Sequence, residues 1–273
     1  MPNTALGDRM KQYESAGETR LPGRMPVIVR IDGCHFHTYT AGMKRPYDED
    51  MMAAMAATTA YLCANIMGAR LGYIQSDEIS LLLINYERLE SQSWFDNRRD
   101  KMVSVAAAMT TAAFGEHARS YLHAGRGLPY FDARAFVLPE SEVANYFVWR
   151  QKDATRNSIA GYAQSMFSHK QLHGKDADTM QEMMWQKGFN WNEAPVSTKR
   201  GFCVVKEPYD HEGTTRTRWV PDWEIPVFTQ DRAYVERFLP GMAERQREVC
   251  AASLAEMRRV SEEMGLYEQP KED

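Results

Sequence analysis

The stretch GYIQSDEISLLL, residues 72–83, is the most informative part of this chain, because it holds two charged residues between two apolar segments. Residues 72–74 and 79–84 have the branched and aromatic composition of strands. The adjacent carboxylates Asp77 and Glu78 lie between them, where a tight turn normally favours glycine or asparagine. Two neighbouring negative charges repel each other, so the sequence predicts a hairpin whose turn needs a positively charged partner.

Length and composition are those of an ordinary globular protein. The chain has 273 residues, of which 11% are aromatic and 26% are charged, enough for one large domain or two modest ones with a buried core. These fractions exclude a disordered chain. The net charge is -4, so any binding to a nucleic acid depends on a local basic patch.

Cysteine spacing and hydropathy predict a cytoplasmic protein. The four cysteines are scattered without a CxxC pair, which argues against a zinc site and against a disulfide framework. Residues 51–69 are uncharged but rich in alanine, threonine and methionine, so we expect a buried helix rather than a membrane span. The N-terminus lacks an apolar core, so we expect no signal peptide and no membrane partner.

The order of the predicted elements indicates the fold class. They are a strand at 25–32, a helix at 49–67, the two hairpin strands, a helix at 94–114 and a strand at 130–139. This βαββαβ order is that of a ferredoxin-like fold, an α+β class with helices on an antiparallel sheet.

The second half of the sequence is predicted to be more helical. Helices are expected at 141–169, 176–187 and 239–264, and a polar, proline-containing stretch at 207–226 separates the last two. We therefore expect a sheet-containing region at 1–140 that holds the functional site. A helical region at 141–273 would pack on it to give one compact unit.

Three carboxylates converge in this predicted topology. The first strand lies beside the hairpin, so Asp32 at its end comes close to Asp77 and Glu78. Such a cluster is unfavourable unless divalent cations occupy it, and oxygen-only ligands suit Mg²⁺. Two Mg²⁺ ions form the standard clamp for phosphoryl or nucleotidyl transfer from a nucleoside triphosphate. The alternative is a solvated turn without a ligand, and the residues alone leave both interpretations open.

Several motifs occur in order between residues 30 and 201. They are RIDGCHFHTYT…KRPYDED, GYIQSDEISLLL, SWFDNRRDKMVSVAAAMTTAAF, FDARAFVLP, FVWRQKDATRN and GFNWNEAPVSTKRG. Together they resemble the tRNA-histidine guanylyltransferase superfamily, including its guanylyltransferase-like relatives. The resemblance implies a polymerase-palm-like fold. It also implies an enzyme that adds nucleotides to the 5′ end of RNA, in the direction opposite to that of ordinary polymerases.

The resemblance implies roles for the acidic residues. Asp32 and Asp77 would be the protein ligands of two Mg²⁺ ions, and the carbonyl of Gly33 would contribute to the same site. Glu78 would be the third acidic group at the metals. All three carboxylates are therefore expected to be catalytic.

The resemblance also implies a site for ATP and GTP or other nucleoside triphosphates. Its expected residues are Gly33, Cys34, His35, Phe36, His37, Lys44, Arg45, Asp48 and Ser76. Backbone N–H groups after a strand can cradle phosphates, and Gly33 allows close approach. Cys34 stands where an arginine is common in the family and Arg45 where a lysine is, so triphosphate affinity is expected to differ. Asp48 fits either the nucleotide loop or a helix cap.

A further set of residues is expected to meet the RNA 5′ phosphate or a second triphosphate. It comprises Arg30, Arg98, Arg99, Lys101, Arg150, Lys152 and Asn190. Arg98, Arg99 and Lys101 begin a predicted helix, where phosphate binding is favoured, and a solvated basic face is the alternative. Asn190 fits either the RNA end or a structural turn around Trp191.

One segment departs from the family pattern. After Asp153, the histidine-tRNA enzymes have the sequence His-Ile-Asn-Asn, whereas this chain has Thr-Arg-Asn-Ser at 155–158. The difference favours the guanylyltransferase-like branch, a Mg²⁺-dependent 3′–5′ polymerase that repairs the 5′ end of tRNA or tRNA-like RNA.

Three other functions stay open at this point. One is a tRNA-histidine guanylyltransferase proper, and another is a palm-type nucleotide cyclase or synthase that needs no RNA. The third is an inactive RNA-binding palm. The resemblance also implies a homo-oligomer, which is a tetramer in the family.

Overall fold

The computed structural model describes residues 5–121 and 127–241. Its strands are β1 (Val27–Gly33), β2 (Ala69–Gln75), β3 (Glu78–Leu83), β4 (Phe131–Val137), β5 (Phe202–His211) and β6 (Thr214–Asp222). They form one six-stranded sheet in the order β4-β1-β3-β2-β5-β6, and every neighbouring pair is antiparallel. The predicted four-strand arrangement is confirmed as the centre and one edge of this sheet.

The three longest helices of the described residues divide between the two faces of the sheet. In chain order they are α1 (Ala5–Ser15), α2 (Phe36–Tyr39), α3 (Glu49–Asn65), α4 (Arg99–Tyr121), α5 (Glu140–Met166), α6 (His169–Leu172), α7 (Ala177–Gln186), α8 (Val196–Arg200) and α9 (Ala233–Glu236). Short 3₁₀ turns lie at Trp94–Asn97 and Trp191–Glu193. The α+β class predicted from the sequence is confirmed.

Helices α3 and α4 cover one face of the sheet. Alternate side chains of the strands, such as Ile31 and Ile79, are fully buried against Met55 and Leu62 of α3 and Phe114 of α4. The residues between them, such as Ile28 and Leu82, are buried on the opposite face, so both faces of the central strands are covered.

The uncharged run in α3 is a buried helix, as predicted. Thr58 and Thr59 are fully buried and their hydroxyls donate to the carbonyls of Ala54 and Met55 at 2.7 and 2.9 Å. A Cβ at Gly72 on β2 would lie 2.4 Å from the Thr59 methyl group, so helix and strand approach closely there. Over the described residues, no helix is long and apolar enough to span a membrane.

Helix α5 covers the opposite face. Its Phe147 is fully buried and packs edge-on against Tyr73 of β2, with ring centroids 6.2 Å apart. Phe228, from the chain after β6, packs on the same tyrosine at 5.9 Å. The middle of α5 lies next to the β2–β3 turn, where Arg150 contacts Glu78.

Two parts of the predicted secondary structure were wrong. The polar stretch at 207–226 is not a separator between helices, because residues 202–222 form the hairpin β5–β6. Both faces of its distal half are exposed, so it lacks the apolar alternation that identifies a strand. The predicted helix at 94–114 begins later, at Arg99, because Phe95, Asp96 and Asn97 all have positive φ angles.

The last predicted helix, at 239–264, lies outside the described residues beyond position 241. The division into regions 1–140 and 141–273 also needs adjustment. Strands β5 and β6 belong to the second region by sequence but extend the sheet of the first.

Candidate active site

The three predicted carboxylates line one cleft at the end of the sheet. β1 and β3 are neighbours, with Ile31 opposite Ile79, so Asp32 follows directly where the hairpin turns. Asp32, Asp77 and Glu78 all line a cavity of about 520 Å³ between the sheet and α5. The three carboxylates therefore lie in the same cleft, as the βαββαβ order predicts.

The turn that holds the carboxylates has two residues. Gln75 pairs with Glu78 across the hairpin, which leaves Ser76 and Asp77 as the loop. Ser76 has a φ of 53°, a left-handed conformation uncommon for a residue with a side chain, and its hydroxyl donates to Asp77 Oδ1 at 2.9 Å. Ser76 therefore orients the Asp77 carboxylate.

Asp77 is held in an environment that disfavours its charge. Burial raises the pKa of the Asp77 carboxyl, and the negative charge of Asp32 adds to the rise. A Cβ on Gly33 would lie 2.6 Å from Asp77 Oδ2, so this oxygen packs directly on the backbone of Gly33. A cation bound between Asp32 and Asp77 would relieve their repulsion.

Glu78 has a different partner from the one expected. Arg150 of α5 donates from Nε and Nη2 to the two Glu78 oxygens at 2.8 and 2.7 Å. The side chains are only 7% and 10% exposed for Arg150 and Glu78 respectively. Burial raises the pKa of Glu78, and the guanidinium opposes that rise. Arg150 is thus the positive partner that the hairpin requires.

This pair bears on two expectations. Arg150 is buried and lines the cleft with its guanidinium bound to Glu78 and Asp153, and its contact with RNA or a second triphosphate stays a prediction. Glu78 faces an arginine, so the structure does not gather all three acids around one ion. Over the described residues, no group of three or more His, Cys, Asp or Glu side chains is arranged to share a metal.

The remaining donors still fit Mg²⁺. Asp32 and Asp77 supply carboxylate oxygens, and the Gly33 backbone lies against Asp77. An oxygen-only set with one or two carboxylates is the usual protein contribution to a Mg²⁺ site, since the ion retains waters and substrate phosphates. These residues could hold the ion.

The loop after β1 is fixed by its aromatic residue. Phe36 is 4% exposed and packs against Phe131 and Phe114, with centroid distances of 4.8 and 5.6 Å. Its ring therefore packs in the core, and a contact of this loop position with a nucleotide stays a prediction. His35, with a φ of 54°, and His37 are both exposed at the surface of the loop.

Cys34 contacts an acidic residue that the sequence reasoning missed. Its Sγ lies 3.7 Å from Asp132 Oδ2, and Asp132 is opposite Asp32 in the β1–β4 register. Burial and the charge of Asp132 raise the pKa of the Cys34 thiol. Asp132 and Arg134 lie on the α5 side of β4, and their side chains form a 3.5 Å ion pair. They alternate along the strand with Phe131, Ala133 and Ala135, which face the other side. The alternation of charged and apolar residues in FDARAF, residues 131–136, could have indicated that Asp132 lies on the same face as Asp32.

Asp48 is the N-cap of α3. Its Oδ1 accepts from the Met51 N–H at 3.1 Å and its Oδ2 accepts from the Lys44 N–H at 3.0 Å. Because both oxygens are engaged by backbone, the helix-cap interpretation is confirmed and the 44–48 segment is closed into a tight loop. A cavity of about 240 Å³ opens beside it, lined by residues that include Lys44, Arg45, Asp48 and Ser76.

The predicted RNA contacts are dispersed. Arg98 approaches Glu18 at 3.9 Å, Arg99 pairs with Asp100 at 3.1 Å, and Lys101 lies 5.1 Å from the ring centroid of Phe95. These three cations do not line the cleft of Asp32 and Asp77. Lys152 is exposed on α5.

Arg30 and Asn190 have contrasting environments. Arg30 lines the carboxylate cleft, and its Nε is buried without a hydrogen-bond partner among the described residues. Asn190 is engaged locally, because it accepts from the Asn192 N–H at 3.1 Å and donates to Glu193 at 2.8 Å. Trp191 donates to Ser158 of α5 at 3.1 Å, so local contacts hold this turn, and its role at the RNA end stays a prediction.

Fold and site together define a class. An antiparallel sheet backed by helices, with two carboxylates at adjacent strand ends in a polar cleft, is the arrangement of a palm-type enzyme. The family model Thg1, described as tRNAHis guanylyltransferase, matches residues 7–139.

Solved structures and curated sequences agree with that match. A bacterial tRNA(His) guanylyltransferase (Thg1)-like protein in complex with ATP is 52% identical, with a TM-score of 0.81, over 86% of this chain and 99% of that one. Its complex with GTP gives 49% identity and a TM-score of 0.77 over the same shares. The tRNA(His) guanylyltransferase of Schizosaccharomyces pombe is 27% identical over 74% of this chain and 81% of its own length.

The chain belongs to the tRNA-histidine guanylyltransferase family and is a nucleotidyltransferase. The sequence resemblance is thereby confirmed at the level of the family.

Proposed function

We propose that this enzyme adds nucleotides to the 5′ end of tRNA or tRNA-like RNA in a Mg²⁺-dependent, template-directed 3′–5′ polymerisation. The observation that carries the proposal is the meeting of Asp32 and Asp77 in one polar cleft, with the Asp77 carboxylate packed on Gly33. Two half-buried carboxylates in one polar cleft suit a metal-assisted reaction on polyphosphates.

Asp32, Asp77 and the Gly33 carbonyl would hold the magnesium. When bound, the ions would supply charge stabilisation at the reacting phosphate and lower the pKa of the attacking hydroxyl. Ser76 orients Asp77 for this task through its hydroxyl. Arg150 opposes the rise in the pKa of Glu78 and binds this carboxylate to α5, which fixes the position of the turn that presents Asp77.

The nucleoside triphosphate would lie along the loop between Gly33 and Asp48. The bacterial Thg1-like structures in complex with ATP and with GTP support both nucleotides as substrates. Lys44 and Arg45 are exposed beside the cavity near Ser76 and supply the positive charge for phosphates. His37, exposed on the same loop, is a further candidate contact.

The RNA would enter from the α5 side. Asp153 and Arg150 both line the cleft, and Asp153 accepts from Arg150 at 3.0 Å. Asp153 also pairs with Arg156, so an ion pair connects the segment at 155–158 to the cleft. Since this segment lacks the His-Ile-Asn-Asn sequence, we infer the repair-type branch. The tetrameric assembly and cytoplasmic location implied by the resemblance stay predictions.

The proposal is tested by incorporation of labelled nucleotide into a tRNA that lacks its first 5′ nucleotide, with Mg²⁺ and ATP. The wild type should add the template-matched nucleotide, and Asp77→Asn should be slower by at least about a hundredfold. Asp50→Asn makes the same chemical change at an exposed position of α3 and is the matched control.

Other outcomes identify the rival functions. Addition only to full-length tRNA-histidine would replace the proposal with a guanylyltransferase proper. A cyclic or linked nucleotide product without RNA would indicate a cyclase or synthase. RNA binding without any Mg²⁺-dependent turnover would indicate an inactive palm.

A further inference from the structure

A third cavity lies beside the 44–47 loop, next to the cavity near Ser76. Its volume is about 470 Å³, and its wall is mainly apolar. We call it the aromatic pocket; it is lined by Lys44, Arg45, Pro46, Tyr47, Glu49, Met52, Ala53, Tyr162, Pro195, Ser197, Thr198 and Trp223. A volume of this size is typical of a small-molecule site and accommodates a nucleobase.

The rings of the pocket are held in place from behind. Tyr47 and Tyr162 lie at 5.7 Å between centroids, and Tyr162 stacks on Phe189 at 5.0 Å. The hydroxyls of Tyr162 and Thr198 are hydrogen-bonded at 3.0 Å. Tyr47, Tyr162 and Trp223 are half-buried, with ring surface open to the pocket.

The opposite wall is equally rigid. Trp223 packs on the buried Phe202 of β5 at 4.3 Å between centroids. Met52 and Ala53 of α3 form the floor and are partly buried. A flat aromatic ligand between such walls would make contacts without ordering flexible side chains.

The aromatic pocket adjoins the catalytic cleft. Pro46, Tyr47, Ser197 and Thr198 line both. Lys44 and Arg45 lie at its rim, and the single carboxylate in its lining, Glu49, pairs with Lys44 at 3.6 Å. Proteins that bind single-stranded nucleic acids combine aromatic side chains, on which bases stack, with cations that neutralise the phosphates.

We propose that the aromatic pocket binds one unpaired nucleobase of the RNA strand end during 5′ addition. This rests on the proposed function. The incoming nucleotide is assigned to the cavity near Ser76, so the aromatic pocket provides a separate place for a second base beside the same loop. Lys44 and Arg45, which line both cavities, can then contact the phosphates of either ligand.

The test uses an RNA hairpin with a tRNA acceptor stem and 2-aminopurine at the unpaired nucleotide next to its 5′ end. Stacking on Tyr47, Tyr162 or Trp223 quenches the fluorescence of this base. Ala53→Phe fills the pocket from α3, and Ala57→Phe adds the same ring one turn further along the same helix, outside the pocket. Thermal unfolding checks that both variants fold.

Wild type and Ala57→Phe should quench the base and bind the hairpin equally. Ala53→Phe should lose the quenching and bind about fivefold to a hundredfold more weakly, the range that one stacked base contributes. Equal quenching by Ala53→Phe would overturn the proposal, and so would displacement of the base by free ATP. If the wild type elongates a truncated tRNA yet leaves the base unquenched, the pocket proposal fails while the proposed function stands. If the wild type neither elongates nor binds RNA, both fail.

Discussion

Among single residues, Asp77 is expected to support activity and to lower the stability of the metal-free protein. Burial and the neighbouring Asp32 raise the pKa of the Asp77 carboxyl above its ordinary value of 3.8. The folded state therefore binds the proton more tightly than the unfolded state, and stability falls as pH rises through the interval between the two pKa values. Above that interval, ionised Asp77 opposes folding in the metal-free protein.

We therefore expect Asp77→Asn to raise the Tm of the metal-free protein at neutral pH. The expected rise is a few degrees, which about 1 kcal/mol produces in a chain of this size. The difference from the wild type should disappear as the pH is lowered below the ordinary range of the carboxyl. Calorimetry across a pH series measures both effects, and a lower Tm for Asp77→Asn would contradict the account.

Magnesium should reverse the order of the two proteins. A ligand that binds only the folded state stabilises it, so Mg²⁺ should raise the Tm of the wild type and leave that of Asp77→Asn nearly unchanged. Asp50→Asn, on the exposed side of α3, should respond like the wild type. The comparison reports ion binding without any activity assay, and equal Mg²⁺ responses would place the ion elsewhere.

Gly33 is expected to be intolerant of even one methyl group. A Cβ there would lie 2.3 and 2.5 Å from carbons of the Phe36 ring and 2.6 Å from Asp77 Oδ2. Gly33→Ala should therefore displace the catalytic carboxylate, lower kcat by at least about tenfold, and destabilise the loop. Steady-state kinetics and urea unfolding measure the two effects.

Gly115 provides the control for this substitution. It lies inside α4, and a Cβ there would meet nothing within 4 Å. Gly115→Ala should stabilise the protein by about 0.5–1 kcal/mol and leave kcat unchanged. If Gly33→Ala were as active as Gly115→Ala, the close packing of Asp77 on Gly33 would have no catalytic importance.

At the scale of elements, the hairpin β2–β3 and the helix α5 act as one unit through Glu78 and Arg150. Breaking a buried, bidentate ion pair leaves an unpaired charge, so Arg150→Met should cost about 3–5 kcal/mol. Glu78→Gln in the same background should recover part of that loss, because it removes the stranded carboxylate. A double-mutant cycle in urea measures the coupling.

Arg156→Met is the matched control for Arg150→Met. Arg156 pairs with the same Asp153, but its side chain is 73% exposed. An exposed pair contributes little, so this variant should stay within about 0.5 kcal/mol of the wild type. A cost below about 1 kcal/mol for Arg150→Met would show that the pair does not fix the hairpin.

The sequence was most informative where one pattern had one structural solution. The apolar strands around Asp77 and the uncharged α3 were predictable because burial on both sides leaves unbroken apolar or uncharged runs in the sequence. The partner of Glu78 was not, because Arg150 is distant in the chain and a motif does not say which way a guanidinium points. Phe36 was assigned to a ligand for the same reason: its aromatic neighbours come from α4 and β4.

At the scale of the whole molecule, the two halves of the sequence share one sheet. β5 pairs with β2 through Phe202, Cys203 and Val204, which are all buried. The rest of the β5–β6 hairpin extends beyond the core, so its sequence is polar and its strands could not be predicted from alternation. Only the three-dimensional pairing identifies it as part of the sheet.

Gln151 of α5 binds the chain after β6, and α5 is also the helix that contacts the β2–β3 turn. Its Nε2 donates to the Pro226 carbonyl at 2.9 Å, and its Oε1 accepts from the Phe228 N–H at 2.8 Å. The side chain is 4% exposed, so Gln151→Ala would leave two buried backbone groups without partners. Each such group costs about 1–3 kcal/mol, and we expect a total loss of about 2–4 kcal/mol.

Gln164→Ala removes an exposed glutamine from the same helix and should stay within about 0.5 kcal/mol of the wild type. Urea unfolding measures the global loss, and hydrogen exchange at the Phe228 amide reports the local contact. Because Gln151 follows Arg150 directly, Gln151→Ala should also loosen the hold of α5 on Glu78 and lower kcat more than it raises KM. Faster exchange at Phe228 with unchanged kcat would show that the two halves share a sheet but not the positioning of the catalytic turn.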